Sequence, residues 1–236
     1  MKIIYAQSTM YRKPEYSVST QIAEAGSERF VLKKALSKEA IPFVNGFEKN
    51  YQEMVRQYGE EHVAKGELLS PGIFKMEYVY GETFTANSMR YFESGDFEGF
   101  IQNVAYYYQH ILAKFEDKDV IRNDFNPLFP NRKYNIDVNF NNIILNSKCK
   151  FKIIDYEWLL PSISRQHVFF RTLALLHKQN RKAFHDKNMT LEMFISGSGI
   201  DKKNIDYYIE AEKIFYGTIL DWSSKRNEKN TFNVNL

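Results

Sequence analysis

The stretch Asp137-Val-Asn-Phe-Asn-Asn142-Ile-Ile-Leu-Asn-Ser-Lys-Cys-Lys-Phe-Lys-Ile-Ile-Asp155-Tyr-Glu157 contains two short apolar runs with polar residues at their ends. These runs predict two strands joined by a tight turn, at 142–145 and 151–154. Such a hairpin holds the side chains of Asp137, Asn142 and Asp155 at fixed separation, and their oxygens suit a divalent metal ion. Each of the three is also an ordinary turn residue. Their joint spacing is therefore what indicates a functional site.

Length and composition set the broad class of the protein. The chain has 236 residues, enough for one large domain or two smaller lobes. A formal net charge of +3 gives no reason to expect nucleic acid as a partner. The single Cys149 excludes an internal disulfide framework. No run of about eighteen apolar residues occurs and the first residues lack a signal-peptide core, so we expect a cytoplasmic protein without a transmembrane segment.

The first 80 residues predict strands and one helix. A short apolar run and two alternating segments indicate strands, at 2–7, 16–23 and 29–36, with a turn at Gly26. A helix is expected over 42–58, where apolar residues recur at helical spacing and Glu48 shares their stripe. A carboxylate on the buried face of a helix needs a partner. Gly46 weakens this helix, and Gly59 is placed to end it.

The rest of the chain is mostly helical. A strand-like segment ends at Gly81, which we take as the boundary between a lobe at 1–80 and a lobe at 81–236. Helical spacing predicts helices at 98–115 and 168–178, and capping residues predict one after Thr190 and one after Asp201 or Asn204. The segment 123–134 is predicted to be a loop. The expected fold class is α+β, with a small antiparallel sheet in the first lobe.

The order of these motifs resembles the protein-kinase-like fold, in the branch that includes aminoglycoside phosphotransferases, choline kinases and bacterial lipopolysaccharide or O-antigen kinases. Asp137 and Asn142 match the D-x-x-x-x-N of the catalytic loop, and Asp155 is placed like the metal-binding aspartate. Phe30-Val-Leu-Lys33 is similar to the V-A-I-K strand, and Met76-Glu-Tyr-Val-Tyr-Gly81 to the hinge between lobes. The resemblance implies a bilobal fold and covers roughly residues 16–176.

The resemblance also implies roles for the matching residues. Asp155 would bind Mg²⁺, Asn142 would ligate a second ion, and Asp137 would orient the acceptor hydroxyl. Lys33, positioned by Glu48, would hold the phosphates of ATP or GTP. The backbone from Glu77 to Val79 would meet the base. The implied partners are a nucleoside triphosphate and a small-molecule or glycan acceptor, as in bacterial surface-polysaccharide assembly, and the resemblance is compatible with peripheral membrane association.

Several positions have alternative interpretations. No G-x-G-x-x-G precedes Lys33, and the corresponding turn at 7–14 either contacts phosphates or is a solvated basic loop. Lys34 is the alternative to Lys33, and Glu53 the alternative to Glu48. Other residues also carry expectations: Glu157 as a metal ligand or a loop-holding residue, Arg171 as a structural ion-pair residue, and Asp124 as a weaker match than Asp137.

The chain is thus predicted to be a kinase for a small molecule or glycan. Asp155 is followed almost at once by Pro161 and a helix, which leaves little room for the activation loop of a protein kinase. The alternative is a catalytically inactive kinase-like module that binds nucleotide or regulates a partner, which the missing glycine-rich loop favours.

Overall fold

The computed structural model describes residues 1–115, 133–146, 150–161 and 163–221. Most of the predicted loop at 123–134, the hairpin turn with Cys149, Asp124, and the chain after Asp221 lie outside this part. The chain forms two compact units. The first contains Met1–Tyr80 and the described residues from Glu210 onward, and the second contains Gly81–Ile209.

An antiparallel five-stranded sheet forms most of the first unit. Its strands are β1 (Lys2–Ser8), β2 (Val18–Ala25), β3 (Glu28–Ala35), β4 (Gly66–Ser70) and β5 (Ile73–Glu77), in the order β1-β2-β3-β5-β4. Ala25 pairs with Glu28 across a two-residue turn, where Gly26 has φ of 62°. Glycine reaches this left-handed region without steric cost, which is why the chain reverses here. The predicted hairpin of the first lobe is confirmed.

Two helices follow this hairpin. The predicted single helix is divided at Gly46 into α1 (Ile41–Asn45) and α2 (Phe47–Tyr58). Gly59, with φ of 88°, ends α2 as expected. The buried face of α2 consists of Phe47, Met54 and Tyr58, and the ring of Phe47 packs edge-on at 5.8 Å from the ring of Phe74 in β5. The helix therefore covers one face of the sheet.

The second unit combines helices with two small sheets. Its described elements up to Pro161 are β6 (Glu82–Thr83), α3 (Phe84–Ser94), α4 (Phe97–Tyr106), β7 (Lys133–Asn135), β8 (Ile143–Leu145), β9 (Phe151–Ile153) and β10 (Leu159–Pro161). The strands form antiparallel sheets in the orders β6-β8-β9 and β10-β7. A π-helical turn over Tyr107–Ile111 continues α4, so the predicted helix at 98–115 is regular only in its first part.

Four further helices complete the described chain: α5 (Arg165–Gln179), α6 (Arg181–Asp186), α7 (Leu191–Gly197) and α8 (Ile205–Ile219). Thr190 caps α7 by accepting a hydrogen bond from the amide of Met193, and Asp201 begins the turn before α8, as both patterns predict. The sequence patterns missed α3 and α6. These findings agree with an α+β class, while the bilobal kinase-like fold stays a prediction. None of the described helices is long and apolar enough to cross a membrane.

Candidate functional site

The hairpin of β8 and β9 brings Asn142 and Asp155 to the same end of two paired strands. Ile143 lies opposite Ile153, and the amide of Ile154 donates to the carbonyl of Asn142 at 2.9 Å. Both strands are apolar and largely buried, so the second unit holds this hairpin rigidly. The predicted hairpin is confirmed, within one residue at each strand end.

The side chain of Asn142 is fixed through its nitrogen. Its Nδ2 donates to the backbone carbonyl of Asp137 at 2.9 Å, across the turn Phe140–Asn142. In the described part of the chain, no hydrogen bond reaches the amide oxygen of Asn142. A metal ion binds a carboxamide through its oxygen. The hydrogen bond to Asp137 uses the nitrogen of the Asn142 side chain and leaves the oxygen for a metal ion.

Asn135 joins the two predicted site segments, and the sequence patterns did not identify this role. It is fully buried at the end of β7. Its Oδ1 accepts from the amide of Asp137 at 2.9 Å, and its Nδ2 donates to the carbonyl of Asp155 at 2.6 Å. One carboxamide therefore holds both aspartates at fixed separation. The only sequence signal was a polar residue where apolar ones surround it.

Asp137 makes an ion pair with a buried arginine. Nη2 and Nε of Arg171, on α5, lie 2.8 and 3.3 Å from Oδ1 of Asp137. The Arg171 side chain is 4% exposed and that of Asp137 is 17% exposed. The expectation that Arg171 is an ion-pair residue is confirmed. Asp137 thus combines a buried cation on one side with partial access to solvent on the other.

Tyr107 supports the residue after Asp137. Its hydroxyl donates to the carbonyl of Val138 at 2.5 Å and lies 2.8 Å from Oγ1 of Thr172. The ring of Phe140 packs against the Tyr107 ring at 4.8 Å. Complete burial raises the pKa of Tyr107 well above its ordinary value, because the charged phenolate has no solvation there. Tyr107 therefore stays a hydrogen-bond donor to the loop at alkaline pH.

The loop after β9 turns back on its own carboxylate. The amide of Glu157 donates to Oδ1 of Asp155 at 3.2 Å, and the side chain of Glu157 is buried. This contact is made by the backbone of Glu157, so both interpretations of its side chain stay predictions. Among the described residues, no group of three or more His, Cys, Asp or Glu side chains is placed to hold a metal ion. A metal at this site would therefore depend on the Asn142 oxygen together with Asp155.

The other predicted site residues belong to the first unit. Lys33, in β3, is 4% exposed, and its Nζ lies 5.8 Å from the centre of the Phe47 ring, so it faces α2. Lys34 points to the other face and is half-buried. This placement agrees with Lys33 as the inward residue of the pair.

Glu48 is exposed, so the prediction that it lies on the buried face of the helix is wrong. Glu48 directly follows the buried Phe47 and is turned about 100° from it around the helix axis, which places it beside the buried stripe. Glu53, the alternative, is half-buried and bonds to Arg56 and Gln57. The predicted role of Glu48 in positioning Lys33 thereby loses its geometric basis.

The segment from Glu77 to Val79 leaves the sheet at the end of β5. The amide of Glu77 donates to the carbonyl of Lys65 at 2.8 Å, and its carboxylate accepts from the amide of Lys65 at 3.0 Å. Val79 follows outside the strand and is half-buried. Glu77 is therefore held by strand pairing, and the contact of this backbone with a base stays a prediction.

The turn at 7–14 is attached to the rest of the first unit. The Thr9 hydroxyl donates to the carbonyl of Val18 at 3.0 Å and accepts from its amide at 2.8 Å. Nζ of Lys13 donates to the carbonyl of Gly217 at 3.3 Å, near the end of α8. Thr9 and Lys13 are half-buried, while Ser8 and Met10 are exposed, so the turn is solvated in part and these two hydrogen bonds serve the fold.

Two cavities in the described part of the second unit lie away from the predicted residues. One, of about 520 Å³, is polar and lies between α3 and α4 beside Tyr91 and Asp96. Another, of about 450 Å³, is an apolar groove along α4 and α7 beside Ile101 and Met193. Neither is lined by Asp137, Asn142 or Asp155.

Comparison with known proteins adds no assignment. No protein-family model matches the chain, and a search of curated proteins gave no significant match.

Proposed function

We propose that the protein is a phosphotransferase that uses ATP or GTP with Mg²⁺ to phosphorylate a hydroxyl of a small molecule or glycan. The observation that carries the proposal is the arrangement around Asn135, which holds Asp137 and Asp155 through one buried carboxamide. Asn135 bonds to backbone groups of both residues, so it sets the separation of the two aspartates that the proposal requires. A sugar hydroxyl of a surface polysaccharide is the first acceptor to test.

The side chains fit the magnesium ion that this chemistry requires. Asp155 offers a carboxylate and Asn142 an amide oxygen, and hard oxygen ligands are those that Mg²⁺ prefers. When bound, the ion would neutralise charge on the phosphates during transfer. Asp137 would orient the acceptor oxygen, which bonds to the γ-phosphorus as the bond to the bridging oxygen breaks. The hydroxyl proton passes to the Asp137 carboxylate.

A thermal-shift titration tests this assignment. ATP or GTP with Mg²⁺ should raise the melting temperature of the native protein by mass action, and much less so for Asp155→Asn. Asp186→Asn, which changes an exposed acid on α6, serves as the matched control and should behave like the native protein. An unchanged response of Asp155→Asn would remove the metal site from the proposal.

An inactive nucleotide-binding or regulatory module is the second candidate. The hydrogen bonds of Thr9 and Lys13 to backbone carbonyls favour this second candidate, because these side chains then bind the protein itself instead of phosphates. Lys33, Glu77 and Val79 would retain their nucleotide-binding roles in such a module. Stabilisation by nucleotide without any transfer or hydrolysis of phosphate would identify this candidate.

A further inference from the structure

The ion pair of Asp137 uses only one of its two carboxylate oxygens. Nη2 and Nε of Arg171 both approach Oδ1, at 2.8 and 3.3 Å. Within the described residues no hydrogen bond reaches Oδ2. Asp137 is also more exposed than Arg171, at 17% against 4%. The open oxygen therefore belongs to the less buried partner.

We infer that Arg171 is a positioning residue for Asp137, which it holds so that Oδ2 meets the acceptor hydroxyl. The inference rests on the proposed function and names a further residue for it. Two nitrogens of one rigid guanidinium hold Oδ1 of Asp137 from two directions, which a single-point cation does not do. Arg171 would act through Asp137 without touching the substrate.

Two consecutive residues of α5 hold two consecutive residues of the loop. Arg171 holds the side chain of Asp137, while Thr172 contacts the Tyr107 hydroxyl that binds the carbonyl of Val138. A buried ion pair is by itself weak evidence for stability, because desolvation offsets the attraction. Here the helix instead sets the direction of the carboxylate and of the backbone next to it. Orientation of this kind is the main task of the protein in phosphoryl transfer.

Hydrolysis of Mg·ATP tests the inference, since water replaces the unidentified acceptor. The variants are Arg171→Ala, Arg171→Lys, Asp137→Asn and Arg165→Ala, with the first also assayed in guanidinium chloride at millimolar concentration. Arg165 is the matched control, because it lies on the same helix and bonds to the carbonyl of Tyr108. Circular dichroism establishes that each variant is folded.

We expect Arg171→Ala to lower kcat about 100-fold, the scale of a misplaced reacting group, with KM for Mg·ATP nearly unchanged. Guanidinium should restore part of kcat in Arg171→Ala and none in the double variant with Asp137→Asn. Arg165→Ala should keep the native kcat. If Arg171→Ala does not fold, Arg171→Lys is the variant to test. We expect its kcat to be about tenfold below the native value, because lysine keeps the charge but lacks the planar guanidinium with several donors.

Three outcomes overturn the inference. An unchanged kcat in Arg171→Lys and Arg171→Ala, together with inactive Asp137→Asn, rejects the positioning role and leaves the proposed function intact. A loss that Arg165→Ala shares and guanidinium does not restore assigns Arg171 to stability alone. No hydrolysis by the native protein, or a native rate in Asp137→Asn, rejects the proposed function and the inference with it.

Discussion

The segment from Asp137 to Asp155 was expected to bind metal, and contact with phosphates was one of two interpretations of the turn at 7–14. The structure uses the polar side chains of these two regions differently. In the first, Asn135 and backbone groups supply the support, and among the described residues no hydrogen bond reaches Oδ2 of Asp137 or the amide oxygen of Asn142. In the second, the Thr9 hydroxyl and the Lys13 ammonium are themselves the support. Residue type alone therefore does not separate a binding loop from a structural turn.

The difference has a simple physical cause. A buried or half-buried polar atom must be paired, because leaving it unsatisfied costs more than a hydrogen bond contributes. Where another group already pairs the backbone, the functional side chain remains available to a ligand. In the turn at 7–14, the buried Ser17 hydroxyl donates to the carbonyls of Arg12 and Lys13, and Thr9 itself pairs both backbone groups of Val18.

Of the substitutions that test this comparison, replacement of Asn135 should cause the largest loss in the free energy of unfolding. In Asn135→Leu, the Asp137 amide and the Asp155 carbonyl lose their partner while still buried from water, so we expect a loss of about 2–4 kcal/mol in the free energy of unfolding. Urea denaturation measures it. Gln102→Leu on exposed α4 is the control and should change stability by less than about 0.5 kcal/mol. A loss no larger than that of the control would mean that Asn135 does not hold the loops.

Tyr107→Phe should have an intermediate effect, about 1–2 kcal/mol, because the hydroxyl bonds to Val138 and Thr172. The substitution should also change how the free energy of unfolding depends on pH in the alkaline range. The raised pKa keeps Tyr107 protonated in the folded state, while the unfolded residue loses its proton above its ordinary pKa.

The folded state then binds more protons than the unfolded state, so stability falls as pH rises through about 10, by up to about 1.4 kcal/mol per pH unit for this residue. Tyr107→Phe should remove that part of the slope. Denaturation of both proteins at a series of pH values from neutral to alkaline checks it. Identical slopes would show that Tyr107 does not contribute.

Thr9→Val should have the smallest effect, a loss of about 1 kcal/mol, because valine keeps the shape and loses both bonds to Val18. KM for Mg·ATP hydrolysis should stay at the native value, since the hydroxyl serves the fold. A severalfold rise in KM with native stability would reverse the comparison and return Thr9 to phosphate binding. Thr20 is half-buried and lies in β2, the strand that contains Val18. Thr20→Val is therefore the control for the replacement of a threonine by valine.

Local patterns predicted the elements that have strong periodicity or clear stop signals. Four strands of the first sheet (β1, β2, β3 and β5), the acid-tipped hairpin and the caps at Thr190 and Asp201 were found, while β4 was missed. The patterns missed α3 and α6, which are rich in polar residues and depend on aromatic packing such as Phe92 against Phe184 at 4.4 Å. Glu48 was misplaced because it lies beside the buried stripe of Val44, Phe47 and Met54 and not on it.

The sequence by itself determined which residue types stand at the ends of the hairpin and in what order, since spacing and turn chemistry are local. The tertiary structure alone decided that Asn135 ties Asp137 to Asp155 and that Arg171, 34 positions after Asp137, holds one oxygen of its carboxylate. The contacts of Asn135 with Asp155 and of Arg171 with Asp137 join residues that are 20 and 34 positions apart. Whether a polar side chain is used for support or left for a ligand follows from how the remaining partners are satisfied, and that requires the folded chain.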